Sequence, residues 1–284
     1  MDKKEKVLVV GAGLCGSLLA LRLAQRGYNV EVYESRPDLR KTEISAGRSI
    51  NLALSDRGLK ALRLAGVEEK AREICIPMRG RFMHDASSNT FESKYSGRDG
   101  EFINSISRGD LNGILLTEAE KHENVNIHFN TKCLGIDIEN KIARFESYQT
   151  KEQFTGKAEV IFGTDGAGSS LRKSYEKQFP DFKASQEFLT HGYKELEIPA
   201  DANGNHLISK DHLHIWPRGD YMLIALPNMD GSFTVTLFLS YKEGEYNFDN
   251  LTTKENITAF FEKDFPDTLE LIPDILKEFE DNPT

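Results

Sequence analysis

Cysteine and tryptophan are scarce in this chain, with three and one among 284 residues, and positive charge is in deficit. Cys15, Cys75 and Cys133 are scattered without metal-ligand spacing. An odd, widely spaced set argues against a disulfide framework and for a reducing compartment, with each thiol expected as a small buried apolar group. The net charge of −9 comes with no basic run or stripe, since Lys3-Lys4-Glu5-Lys6 is short and mixed. Nucleic acid and anionic membrane surfaces are therefore disfavoured as partners. No apolar run reaches the roughly 18 residues that read as a spanning helix. The first strand starts within a few residues of Met1 and leaves no room for a signal peptide, so a cytoplasmic protein with no membrane segment is expected. His191, His206, His212 and His214 match no ligand spacing, and no metal is expected. Neither G-x-S-x-G nor a Ser-His-Asp order is present.

What is present is one strongly organised stretch at the start. Lys6-Val7-Leu8-Val9-Val10 is an apolar strand that runs into Gly11-Ala12-Gly13-Leu14-Cys15-Gly16, and Ser17 to Arg26 is dense in helix formers. Glycines at a strand-to-helix turn are the context of a dinucleotide site. Gly11 serves the sharp turn, Gly13 the close approach of a pyrophosphate, and Gly16 the packing of helix on strand, with free N–H groups aimed at phosphate. Gly27 ends the helix, and Asn29 to Tyr33 reads as a second strand. Glu34 then falls about twenty residues past the glycines, where an acid grips ribose hydroxyls. The alternative, a packed strand-turn-helix without ligand, leaves Gly13 and Glu34 unexplained.

A chain of this length predicts two domains or one large α/β unit with an insertion. After an extended stretch at Arg48 to Leu54, Ser55 caps a helix through Ala65, and a short helix at Glu68 to Glu73 is stopped by Pro77. Arg79 to His84 and Thr90 to Tyr95 read as a hairpin that interrupts the nucleotide-binding pattern. Arg108 to Lys121 is helical by period, and Val125 to Phe129 extends a parallel sheet. A meander through Cys133 to Ile138 and Ile142 to Tyr148 leads to a second glycine-rich strand end, Ala158 to Phe162 followed by Gly163-Thr164-Asp165-Gly166-Ala167-Gly168. Asp-Gly alone is compatible with a plain turn or with a ligand at the carboxyl edge of the sheet. Beyond Tyr175 the character becomes antiparallel β: Gly192 to Ile198, Leu213 to Trp216, Tyr221 to Leu226 and Phe233 to Tyr241. Helices at Thr253 to Phe265 and Ile275 to Phe279 follow, and Trp216 is expected to pack beneath the sheet.

These residues carry a family resemblance. Gly11 to Gly16, Val32-Tyr33-Glu34-Ser35-Arg36, Gly47 to Ser55 with Arg57-Gly58, Ile76 to Arg81, Ser107-Arg108, Asp165-Gly166-Ala167, His214 to Arg218 and Ala225 to Met229 resemble the amino-terminal portion of the kynurenine 3-monooxygenases. These are flavoprotein aromatic hydroxylases of the p-hydroxybenzoate hydroxylase fold. The resemblance implies an α/β chain, α+β taken overall. A Rossmann-like FAD-binding domain would occupy residues 1–75 and 105–178, with an antiparallel β-sheet substrate domain inserted at 76–104 and appended at 179–284. It turns the dinucleotide into FAD, held by Gly11, Gly13, Leu14, Cys15, Gly16, Tyr33, Glu34, Ser35 and Arg36, with Arg48, Ala53, Arg108, Cys133, Asp165 and Gly166 also lining the cofactor. NADPH is implied as a transient co-substrate without a Rossmann site of its own.

Arg81 and Tyr95, which by residue type alone read as an exposed strand charge and a packing aromatic, align with the family's carboxylate-binding pair for L-kynurenine. The implied reaction hydroxylates the ring ortho to the amine with dioxygen, through a flavin hydroperoxide, and no side chain is assigned a catalytic acid or base role. The family's third FAD motif, Gly-Asp-Ala-Ala-His, and the region beyond it are not found before Thr284, so weak FAD binding and slow hydroxylation are expected of this chain alone. A phenol- or quinolone-hydroxylating relative and a non-catalytic FAD- or NAD-binding module are the competing readings.

Overall fold

The computed structural model describes residues 5–42, 51–87, 89–96, 98 and 100–284. In chain order its elements begin β1 (Lys6–Val10), α1 (Leu14–Gln25), β2 (Asn29–Tyr33), β3 (Asn51–Leu54), α2 (Asp56–Ala65), α3 (Glu68–Glu73), β4 (Ile76–Met78) and β5 (Gly80–His84). Next come β6 (Thr90–Lys94), β7 (Ile103–Ser107), α4 (Arg108–Glu120), β8 (Val125–His128), β9 (Thr131–Asp137), β10 (Ile142–Ser147), β11 (Gln153–Lys157), β12 (Val160–Gly163) and α5 (Ser170–Gln178). The chain closes with β13 (His191–Ile198), β14 (His212–Arg218), β15 (Tyr221–Pro227), β16 (Phe233–Ser240), α6 (Lys254–Asp264), α7 (Thr268–Leu271) and α8 (Ile275–Asp281).

The chain divides into two compact units. The first takes residues 1–44, 60–71 and 109–186, and the second takes 45–59, 72–108 and 187–284. Residues 51–59, 72–75 and 105–108, grouped from sequence with the nucleotide half, thus cluster with the second unit, and residues 179–186, grouped from sequence with the substrate domain, cluster with the first.

In the first unit β12-β1-β2-β8 form a parallel sheet. Four of the five β1 residues are buried, as a central parallel strand covered on both faces requires. Ser17, Ala20, Leu21 and Ala24 are buried at the three-to-four residue spacing of one helix face, which packs α1 against the sheet. The antiparallel sheet β11-β10-β9 adds a core of Leu8, Tyr33, Cys133, Phe145 and Leu171. Two of its elements are not evident in the sequence. Strand β11 (QFTGK) is mostly exposed, and α5 (SLRKSYEKQ) is so polar that its short buried stripe, Leu171 and Ser174, gives little periodic signal.

The second unit holds a six-stranded sheet in the order β13-β16-β15-β14-β5-β6. The hairpin β5–β6 joins the four later strands through a parallel pairing that sets Gly80 against His212 and Arg81 against Leu213. Phe233, Val235, Leu237 and Leu239 alternate into a core shared with Ile257, Phe260 and Phe261 of α6. A three-stranded antiparallel sheet, β3-β7-β4, completes the unit. Pro77 ends no helix there but sits inside β4, an edge strand, where its missing N–H interrupts no ladder. Strand β7 (INSIS) escapes a sequence reading because its buried Asn104 and Ser105 are polar.

The expectation of three buried cysteines holds for Cys133 alone; Cys15 is exposed and Cys75 half-buried. No helix among the described residues is long and apolar enough to cross a membrane.

Candidate cofactor and ligand sites

The glycine turn of the first unit is built by close backbone approach. Gly11 has φ +96°, and a Cβ there would lie 2.5 Å from the Thr164 carbonyl oxygen. A Cβ on Gly16 would lie 1.9 Å from the Gly11 carbonyl oxygen. Both positions therefore admit only glycine. At Gly13 a Cβ would meet nothing within 4 Å. Gly13 is the N-cap of α1 and supplies no capping side chain, and the first turn carries no acidic residue. By helix geometry the amides of Leu14, Cys15 and Gly16 have no carbonyl one turn back to bond. The result is an uncapped, positively polarised helix end beside open space, which suits an anion.

Glu34 is buried, 5 % exposed, and tied directly to this turn. Its Oε2 accepts the Ala12 amide at 2.7 Å, while Oε1 accepts the amide and Nε of Arg36, each at 2.9 Å, and the Ser35 hydroxyl at 3.3 Å. Burial alone would raise the carboxyl, but the hydrogen bonds from Arg36 and Ala12 hold it below the usual glutamate range. The two-handed grip on ribose expected from sequence thus meets an acid already engaged by protein. What is exchangeable is Arg36, whose side chain is 63 % exposed. Tyr33 is buried between the rings of His128 and Phe145, at 4.6 and 3.9 Å between centroids, and packs the strand end that presents Glu34.

Two residues that sequence reasoning overlooked brace the turn. The Asn112 Oδ1 accepts the Ser17 hydroxyl at 2.9 Å, and its Nδ2 donates to the Ala12 carbonyl at 3.0 Å. The Thr164 hydroxyl lies 2.8 Å from the carbonyl oxygens of both Val10 and Gly11. Thr164 splices the Asp165-Gly166 strand end onto the glycine turn. Asp165 accepts the Ser169 hydroxyl and the Ser170 amide, both at 2.6 Å, so its carboxylate is committed to the start of α5. Gly166 has φ +75°, the left-handed conformation glycine favours. Cys133 is buried, and burial pushes its thiol up to about 11; its carbonyl accepts the Ser170 hydroxyl. It contributes backbone and packing, not a reactive thiolate.

Ala53 and Arg108, also expected at the cofactor, are exposed residues of the second unit; Ala53 pairs with Ser105 across β3 and β7, and Arg108 opens α4. Arg48 lies outside the described residues.

Arg81 and Tyr95 come together in the second unit. Arg81 pairs with Ser93, and Tyr95, two residues on, shares its face of the sheet. The guanidinium carbon stands 4.8 Å from the centroid of the Tyr95 ring. It covers the ring face. The Tyr95 hydroxyl is buried and has no hydrogen-bond partner among the described residues. Burial raises the phenol above its ordinary value, and Arg81 opposes the rise by its charge and as a donor close to the hydroxyl. A cavity of about 320 Å³, lined by Ser55, Asp56, Arg57, Tyr95, Glu101 and Phe102 among others, opens beside it.

The sequence profile of the FAD binding domain family matches residues 4–271. Kynurenine 3-monooxygenase of Myxococcus xanthus is 47% identical over 99% of this chain and 60% of its own length. Those of Flavobacterium johnsoniae and Dictyostelium discoideum are 46% and 45% identical, over 100% and 98% of this chain and 62% and 59% of their own lengths. Among solved structures, a tetrameric 2-methyl-3-hydroxypyridine-5-carboxylic acid oxygenase superposes with a TM-score of 0.72 at 19% identity, covering 98% of this chain and 68% of that one. The p-nitrophenol 4-monooxygenase PnpA of Pseudomonas putida gives 0.66 at 16% identity, over 93% and 63%. At such identities these two speak for the fold alone. The open space at Gly13, the uncapped α1 and the buried Glu34 fit the pyrophosphate and ribose of FAD. The chain belongs to the FAD binding domain family, and it spans about 60% of the length of the kynurenine 3-monooxygenases it matches.

Proposed function

We propose that this chain carries the adenine-dinucleotide site and the ligand-binding sheet of an enzyme that hydroxylates L-kynurenine to 3-hydroxykynurenine, consuming NADPH and dioxygen. FAD, when bound, supplies the redox chemistry, taking hydride from NADPH and passing electrons to dioxygen. Gly11, Gly13 and Gly16 would shape its pyrophosphate site, the free amides of Leu14, Cys15 and Gly16 would hold the phosphates, and Glu34, now paired with the exposed Arg36, would hold ribose.

The Arg81–Tyr95 pair carries the substrate reading. A planar guanidinium binds a carboxylate through two parallel N–H donors, and a phenol hydroxyl adds a third. Buried hydroxyls are nearly always bonded, and the unpartnered one on Tyr95 is explained by a ligand acceptor. The amino-acid end of kynurenine supplies that acceptor. Leu213 stands opposite Arg81, and Ile215 stands opposite Met83 on the same face, so the carboxylate anchor borders an apolar surface suited to an aromatic ring. The aniline nitrogen already activates the ring carbon ortho to it, so the reaction demands no strong base from the protein. The work left to these side chains is orientation and exclusion of water.

The test uses a protein of the relatives' full length that contains this chain. Its NADPH consumption is measured with L-kynurenine and with 4-hydroxybenzoate, alongside the visible flavin spectrum. Consumption stimulated by kynurenine but not by the phenol is expected. Stimulation by the phenol alone would move the protein to a sister hydroxylase, and absence of flavin would reject the cofactor reading.

A further inference from the structure

On the sheet face opposite Arg81, three side chains from separate segments form a continuous line of hydrogen bonds that the proposed reaction does not use. His214 on β14 places Nε2 2.8 Å from the Ser209 carbonyl oxygen and Nδ1 2.9 Å from Nε2 of His84 on β5. Nδ1 of His84 lies 3.1 Å from Oδ2 of Asp267, the residue that precedes α7. Trp216 donates Nε1–H to the same oxygen at 2.8 Å, and its indole stacks on the His84 ring at 3.9 Å between centroids, 19° apart in plane. His84 and His214 are buried, and Oδ1 of Asp267 is buried with no partner among the described residues.

Donor and acceptor rules restrict where the protons sit. A carbonyl only accepts, so Nε2 of His214 carries a hydrogen. If that is the only one on His214, its Nδ1 is a lone pair, and Nε2 of His84 must donate to it. A carboxylate only accepts, so Nδ1 of His84 donates as well. His84 then carries two ring hydrogens and a full positive charge. The same count is met with the extra proton on His214 or on Asp267, and the surroundings disfavour both. Burial pushes His214 down to about 4, with His84 and His212 adding to the effect and only the Ser209 carbonyl opposing it. Burial would raise Asp267, but its hydrogen bonds from His84 and Trp216 hold it below the usual aspartate range. Oδ1 of Asp267 is buried although the side chain as a whole is half-buried; Arg218 is a second cation that acts on this carboxylate, and the Trp216 indole face stabilises a charge on the His84 ring stacked against it.

We propose that Asp267, His84 and His214 form a one-proton latch, in which His84 is held as a buried imidazolium that ties strand β5 to the segment between α6 and α7. The other charges at the site are consistent with it. Arg218 donates to the carbonyls of His84 and Asp85, Asp264 accepts the Tyr221 hydroxyl, and His212 faces Glu92 at 3.5 Å. None of these replaces the His84–Asp267 pairing. His84 lies three residues beyond Arg81 on the same strand, with its side chain on the opposite face of the sheet. The latch does not rest on the function proposed above.

The test is long-range 1H–15N correlation on the chain labelled at histidine nitrogen, at pH 7. His84 is expected with both nitrogens protonated and His214 as the neutral Nε2–H tautomer. A neutral His84 or a charged His214 overturns the latch. In Asp267→Leu, which leaves Nδ1 of His84 without an acceptor, His84 is expected to lose one proton, and the amides of Phe82 to His84 to exchange about tenfold faster relative to those of β15. Retention of both protons, or unchanged relative exchange, counts against the proposal. Should that variant not fold, His214→Gln keeps one acceptor for His84 and one donor for Ser209. His84 must then remain doubly protonated for the latch to stand.

Discussion

Glu34 accepts the backbone amide of Ala12 at 2.7 Å, so the acid at the end of β2 and the glycine turn after β1 are one hydrogen-bonded object. Its carboxyl is depressed by Arg36 and Ala12, which gives the linkage a definite sign. The stabilisation is present above the ordinary glutamate value of about 4.3 and is lost as pH falls through the lower folded-state value. Glu34→Gln is therefore expected to flatten the acid limb of a stability-versus-pH profile and to leave the limb above pH 6 less affected in slope. Urea melts between pH 3 and 7 make the comparison.

Gly13 and Gly16 separate folding from binding. Gly16→Ala drives a methyl into the Gly11 carbonyl and is expected to destabilise by on the order of 3 kcal/mol. Gly13→Ala meets open space at φ −70°, so its melting temperature is expected to stay close to that of the parent. The methyl fills the approach of the pyrophosphate, and FAD affinity measured by flavin fluorescence should fall at least roughly tenfold, about 1.4 kcal/mol.

Asn112 holds both Ser17 and the Ala12 carbonyl. Asn112→Ala removes two buried hydrogen bonds while the Ser17 hydroxyl still donates to the Ala12 carbonyl, and it is expected to cost about 1 kcal/mol in denaturant titration. Weaker FAD binding should accompany it, because the Ala12 amide that Glu34 accepts shifts with the turn.

Tyr95→Phe removes a hydroxyl that has no hydrogen-bond partner among the described residues. Stability is expected to be unchanged or to rise by a few tenths of a kcal/mol, since an orphaned buried group is itself unfavourable. If the hydroxyl serves a carboxylate ligand, kynurenine binding weakens in the same variant, measured in a protein of the relatives' full length. Arg81→Lys should weaken it further by losing the planar two-donor geometry.

The parallel nucleotide half was legible because its signals are local. Strand, glycines, helix, second strand and acid follow one another within Lys6 to Glu34, and steric and helix-propensity rules act over that range. The hairpin at Arg79 to Tyr95 and the four later strands were equally readable from alternation. Strand β7 and helix α5 were not, since their buried residues include Asn104, Ser105 and Ser174, which leave no apolar period. Asn112 and Thr164 were invisible for a different reason. They reach the glycine turn across 100 and 153 residues of chain, and no local pattern encodes such a partner.

The order of residues alone determined that the glycine turn must be glycine, that an acid must end β2, and that two kinds of sheet must coexist, because backbone sterics and side-chain period operate between near neighbours. Tertiary structure alone decided that Glu34 is already clasped by Arg36, that the Asp165 carboxylate is committed to α5, and that His84, His214 and Asp267 form one line of hydrogen bonds. Those outcomes depend on which distant groups are buried together. Burial converts weak surface polarity into strong, directional pairing only once the chain has folded.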